Sequence, residues 1–243
     1  WLRQRRLVQP AFHKKQLENL SRVMVGETGN FLDRLAREEG QPVEVHRQMV
    51  SLTLNVVSRS LFSYGIDEEG LRVVEKSIDS LMDLAMARIR NPLQVLAYKV
   101  FGKMEEFNQY QQNLNDLIYK IIDERKQQGP GNTDLLDMLL TSRDAETGNE
   151  LSREQLKDEL LVLFLAGHET SANALTWGLM TLADHPAVVE RMRAEVNQVV
   201  GKESLNFSHL PQLAYLNQVI DEIFRFIPPV WLMERDATEA DEI

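Results

Sequence analysis

A chain of 243 residues without a single cysteine can form no disulfide, no zinc–thiolate site and no cysteine nucleophile. Its 27 basic and 37 acidic residues leave a net charge of −10, which argues against broad nucleic-acid binding. With 43% hydrophobic and 26% charged residues it has the mix of a globular protein able to bury a sizeable core.

The chain opens on Trp1 rather than methionine and reads as a piece of a longer protein; no signal peptide or membrane segment is visible in it, and a cytoplasmic location is expected. Its first twelve residues, WLRQRRLVQPAF, are basic, and Trp1 and Arg5 stand four apart, on one face of a helix. An indole N–H beside a guanidinium makes a clamp for a carboxylate or phosphate. A helix then runs to about Arg37 and is ended by Gly40, and Pro42 to Val45 is a candidate short extended piece. Helices follow from about Arg47 to Phe62, Asp67 to Arg90 and Met104 to Gln128, each with apolar residues at helical spacing. Between Met82 and Tyr110 the Met and aromatic residues suit a core or a greasy lid. Gly129-Pro130-Gly131 is a firm stop, and a short helix spans Thr133 to Thr141.

Ser152 and Gln155 carry a capping-box signature for the helix around which the chain is organised. From Leu160 to Ala166 that helix is apolar all round, the pattern of a segment buried on every side. Gly167, His168, Glu169 and Thr170 then interrupt it. Ala166, Gly167 and Thr170 share one face, where Gly167 lets a flat ligand approach the backbone and Thr170 can turn its hydroxyl to the carbonyl of Ala166. Glu169 needs pairing, hydration or a proton in such surroundings. Pro186 opens the next helix, Gly201 ends it, and a last helix from Leu213 to Ile227 stops at Pro228–Pro229. Its Glu222 and Arg225, at i, i+3 among Val219, Ile220, Ile223 and Phe224, are expected to form an ion pair that is at least partly buried. The five histidines show no zinc-hydrolase spacing, and those within helices need no role beyond packing. No linker or repeat divides the chain, so residues 1–243 are expected to form a single helical domain.

Three motifs in order, Trp1-x-x-x-Arg5 with Pro10-Ala11-Phe12, Ala166-Gly167-His168-Glu169-Thr170, and Glu222-x-x-Arg225 with Pro228–Pro229, resemble the C, I and K helices of the cytochrome P-450 superfamily. The resemblance covers essentially the whole chain. It implies a mainly α fold, the helical core of that family around a long central buried helix with minor short strands. It implies haem b as cofactor of the complete enzyme. Trp1 and Arg5 would hold one haem propionate and Arg235 the other. Ala166 and Gly167 would face the distal side of the haem and leave room for dioxygen. Thr170 would hydrogen-bond the bound oxygen, and Glu169 would stand in a water-linked proton relay. Glu222 and Arg225 would be structural.

The implied reaction is hydroxylation of an apolar, fatty-acid-like or terpene-like molecule, with dioxygen and electrons from a ferredoxin-type, flavodoxin-type or reductase donor. Arg3, Arg6, Lys14 and Lys15 would contribute to the donor's docking surface. The chain departs from the family in two ways. It has no cysteine to serve as axial ligand, and it lacks both the amino-terminal sheet region and the carboxy-terminal ligand loop, so by itself it is expected to be inactive. The competing expectation is a truncated non-catalytic helical scaffold, or a carrier of hydrophobic ligands, without haem.

Overall fold

A computed structural model describes residues 2–63, 68–91, 98, 101–129, 131, 134–143 and 148–233. Trp1 and Arg235 lie outside them. The described helices are α1 (Leu2–Val8), α2 (Lys14–Ala36), α3 (Val45–Phe62), α4 (Glu68–Arg90), α5 (Lys103–Gln128), α6 (Leu135–Thr141), α7 (Arg153–Ala183), α8 (Pro186–Val199) and α9 (Ala214–Phe226). Single 3₁₀ turns cover Gln9–Phe12 and Phe207–Gln212. The fold is mainly α. No strand occurs among the described residues: residues 42–44 are irregular, because an extended piece becomes a strand only beside a partner.

The chain divides into two compact units, each drawn from two stretches of sequence. Residues 1–39 and 54–167 make the first, and residues 40–53 and 168–243 the second, so α3 and α7 each contribute to both.

In the first unit Leu61, Phe62, Val74, Ile118, Ile122 and Leu136 are nearly or fully excluded from solvent. At roughly 1.5–3 kcal/mol for each large apolar side chain buried, such residues supply most of this unit's stability. The described Met and aromatic residues from Met82 to Tyr110 split between core and surface. Phe107 is buried and Phe101 is 81% exposed. Inside this core stands a charged cluster. Arg125, 1% exposed, donates from Nη1 to Asp134 Oδ2 at 2.8 Å and to Asp137 Oδ1 at 2.6 Å, and from Nη2 to the Phe62 carbonyl at 2.7 Å. Asp137 also accepts the Gly131 N–H at 2.9 Å, and Asp134 caps α6 by accepting the Asp137 N–H at 2.9 Å. Burial alone would lower the guanidinium's pKa, but its hydrogen bonds to Asp137 and Asp134 hold it above the ordinary value.

The ends of the helices follow local chemistry. Gly129 closes α5 at φ +78°, a left-handed conformation that favours glycine. At the start of α7 the expected capping box is formed: the Gln155 N–H donates to Ser152 Oγ at 3.1 Å, and the Ser152 N–H to Gln155 Oε1 at 3.0 Å. The burial of α7 differs from expectation. Leu156, Leu160 and Phe164 enter the core, whereas Val162 is 59% exposed. An apolar run around a helix shows what each face could bury, and here only one face is fully covered.

Candidate functional site

Within the second unit, α7, α8 and α9 line an open cavity of about 800 Å³. Among the described residues its lining is apolar except for Thr170 and Ser171, which bring hydroxyl-bearing side chains. Ile223, Phe224 and Pro229 line it as well. Gly178 of α7 faces Ile223 of α9: a Cβ there would lie 3.5 Å from Ile223 Cδ1, an ordinary van der Waals contact. Thr170 of the second motif and Pro228–Pro229 of the third, far apart in sequence, therefore line one cavity. An apolar chamber with a few hydroxyls suits a hydrophobic ligand that is oriented by few polar contacts.

The other residues of the second motif stand elsewhere. Ala166 is exposed, and Gly167 and Glu169 are half-buried. The space left by the missing side chain of Gly167 is already occupied, since a Cβ there would come 3.2 Å from Val57 Cγ2 of α3. The glycine thus permits helix packing at this point rather than an open approach to the backbone. Arg5 is exposed in the last turn of α1, where a cation complements the helix dipole, and it belongs to the first unit.

Glu222 and Arg225 form a two-pronged pair, Arg225 Nε to Glu222 Oε2 and Nη2 to Oε1, both at 2.7 Å. The expectation of burial is corrected here: the side chains are 63% and 68% exposed. Their apolar sequence neighbours do not shield them, because Phe224 and Phe226 are themselves exposed. Hydrogen bonding to Arg225 lowers the pKa of Glu222, and the same bonds raise that of Arg225. The pair lines a second groove with Thr181, His185, Tyr215 and Phe226.

His168, the middle residue of the second motif, packs in the interior of the second unit. It is 4% exposed, and neither ring nitrogen has a hydrogen-bond partner. Burial first, and then the charge of nearby His46, pushes its pKa down to about 4, so the ring is neutral near pH 7. Glu195 was equally invisible in the sequence. Its carboxylate accepts the backbone N–H groups of Tyr215 at 2.7 Å and of Leu216 at 2.9 Å. One signal pointed that way: no Ser, Thr, Asp or Asn precedes α9, so its first N–H groups require acceptors from elsewhere.

Comparison with known proteins matches this arrangement to one family. The family model described as Cytochrome P450 matches residues 1–243. Cyclooctatin synthase of Streptomyces melanosporofaciens is 33% identical over 99% of the chain and 52% of its own length. Cyclooctat-9-en-7-ol 5-monooxygenase of the same organism is 29% identical over 99% of the chain and 52% of its own length. The crystal structure of the cytochrome P450DA heme domain superposes with a TM-score of 0.76 at 27% identity, covering 91% of this chain and 48% of that one. The chain spans about half the length of the curated relatives it matches. With three motifs in order, a helical architecture in common and a family match from end to end, the chain belongs to the cytochrome P450 family.

Proposed function

We propose that this chain is the interior of a haem-dependent monooxygenase, its two units parts of one helical domain, acting on an apolar, terpene-like molecule. The observation that carries this is the cavity between α7 and α9, apolar except at Thr170 and Ser171, in a member of this family. Haem b, when bound, supplies the activation of dioxygen. The residues fit the distal half of that group: a greasy chamber for its face and the substrate, and a hydroxyl at Thr170. They do not include its axial ligand, because the chain has no cysteine, so the thiolate belongs to sequence outside these residues.

The protein's own residues then have separable tasks. The apolar cavity walls hold the substrate. Thr170 would offer a hydrogen bond on the oxygen side of the group, and Glu169, half-buried one position earlier, would pass protons inward through water. Arg5 with Trp1 and, after α9, Arg235 bind the propionates. Each turnover consumes dioxygen, two electrons and two protons, and yields the hydroxylated substrate and water. The electrons come from a ferredoxin-type, flavodoxin-type or reductase donor that docks on the basic first helices. Among the described residues no helix is long and apolar enough to cross a membrane.

The test is turnover of the complete haem-loaded polypeptide with an electron donor and a terpene hydrocarbon under ¹⁸O₂. A product carrying one ¹⁸O is expected, with Thr170→Ala consuming oxygen while forming much less product. A product without label would exclude monooxygenation.

A further inference from the structure

Two neighbouring grooves of the second unit meet at the start of α9. Tyr215 lines the groove that contains Glu222 and Arg225, while Leu216 lines the cavity that contains Thr170. Both backbone N–H groups end on one carboxylate, with Tyr215 donating to Glu195 Oε1 and Leu216 to Glu195 Oε2. One turn before Glu195, Arg191 lays its guanidinium over the Tyr215 ring, 3.8 Å from the centroid. Met192, on the same turn of α8, lines the cavity. The residue that fixes the backbone of Leu216 therefore shares a helix with a wall of the chamber that Leu216 enters.

An ordinary capping residue sits directly ahead of the helix it caps and acts on that helix alone. Glu195 stands twenty residues earlier, on another helix, and uses both oxygens on two consecutive donors. This geometry fixes both the rotation and the height of α9 against α8, and with them the positions of the Leu216, Val219 and Ile223 walls. Two hydrogen bonds to an anion are of the strong, short kind, so they hold that register firmly.

We propose that Glu195 is a positioning residue for the apolar cavity, setting through Leu216 how closely the walls grip the ligand; this rests on the cavity being the substrate's chamber. A cap that served stability alone would leave the affinity of each folded molecule unchanged.

The experiment uses the complete haem-loaded polypeptide, with limonene as the apolar probe. Calorimetry reads its Kd, and hydrogen exchange reads the amides of Tyr215 and Leu216. Glu195→Ala is expected to raise the Kd about tenfold, the scale of one lost cap, and to speed exchange at both amides. Glu195→Gln keeps one acceptor oxygen, is the variant to use if the alanine form does not fold, and should raise the Kd roughly threefold. Faster exchange with an unchanged Kd would show a purely structural cap and overturn the proposal. Wild type binding no limonene would overturn it together with the substrate assignment, and is told apart because it appears before any substitution is made.

Discussion

Arg125 and Phe62 meet through a hydrogen bond of 2.7 Å from the guanidinium Nη2 to the backbone carbonyl, which joins the end of α5 to the end of α3 inside the core. The same guanidinium bonds both Asp134 and Asp137. Replacing Arg125 by Met would leave two carboxylates and a carbonyl in the core without their donor. Removal of one partner from a buried charged cluster costs about 3–5 kcal/mol. Urea titration of Arg125→Met should show a loss of that size, whereas Arg153→Met, which breaks the exposed pair with Asp123, should cost far less. Equal losses would contradict the assignment of the cluster to the core.

Gly167 faces Val57 with no room to spare. An alanine gains about 1 kcal/mol of helix propensity there but must displace the Val57 methyl by a few tenths of an ångström, so its net effect should be small. Valine at position 167 overpacks the contact and should cost roughly 1–3 kcal/mol. Shortening the partner in the Gly167→Val, Val57→Ala pair should recover part of that loss in a double-mutant cycle. Strict additivity would show that the two residues do not touch.

His168 makes stability depend on pH. Its folded pKa is pushed from 6.5 to about 4, so between those values the unfolded chain binds more protons than the folded one. Its neutral form is fully accommodated above pH 6.5, and stability falls as the pH drops toward 4, below which this contribution is flat. The total is on the order of 3 kcal/mol at about 1.4 kcal/mol per pH unit. Carboxylates titrate in part of the same window, so the measurement is the difference between wild type and His168→Leu. That difference should shift in favour of the variant on going from pH 7 to pH 4, and a constant difference would contradict the burial of an unpaired imidazole.

The basic first helices offer a kinetic test of the proposed electron donor. Charge reversal at Arg3 and Arg6 should slow reduction of the complete enzyme by an acidic donor and flatten its dependence on salt, since steering by opposite charges is screened by ions. Stopped-flow reduction at two ionic strengths reads both effects. Unchanged rates and salt slopes would place the docking surface elsewhere.

Much of the helical framework was legible because its signals are local. The Ser152–Gln155 capping box, the stop at Gly129 and the proline at the start of α8 each act within one turn of their own residues. The second and third motifs were legible as candidates, and Thr170 and Pro229 do line a common cavity. What could not be read depends on the other side of each contact. Arg125, Asp134 and Asp137 carry surface-type side chains, and only the packing of α3, α5 and α6 makes them a buried cluster. Glu222 and Arg225 lie among apolar residues in sequence, yet Phe224 and Phe226 are exposed themselves and do not cover the pair. Gly167 reads as an opening until Val57 is seen in it. The missing cap residue before α9 shows that its first N–H groups need an acceptor, but not that Glu195 of α8 supplies it.

The most direct test of the central claim is to find where an apolar substrate binds. The complete haem-loaded polypeptide would be irradiated with a diazirine analogue of a terpene hydrocarbon, digested, and its labelled residues mapped by mass spectrometry. Labels concentrated on the stretches 170–182 and 216–230, and suppressed by unlabelled hydrocarbon, are the predicted result. Competable labelling confined to other parts of the protein would contradict the assignment of the Thr170 cavity as the substrate's chamber.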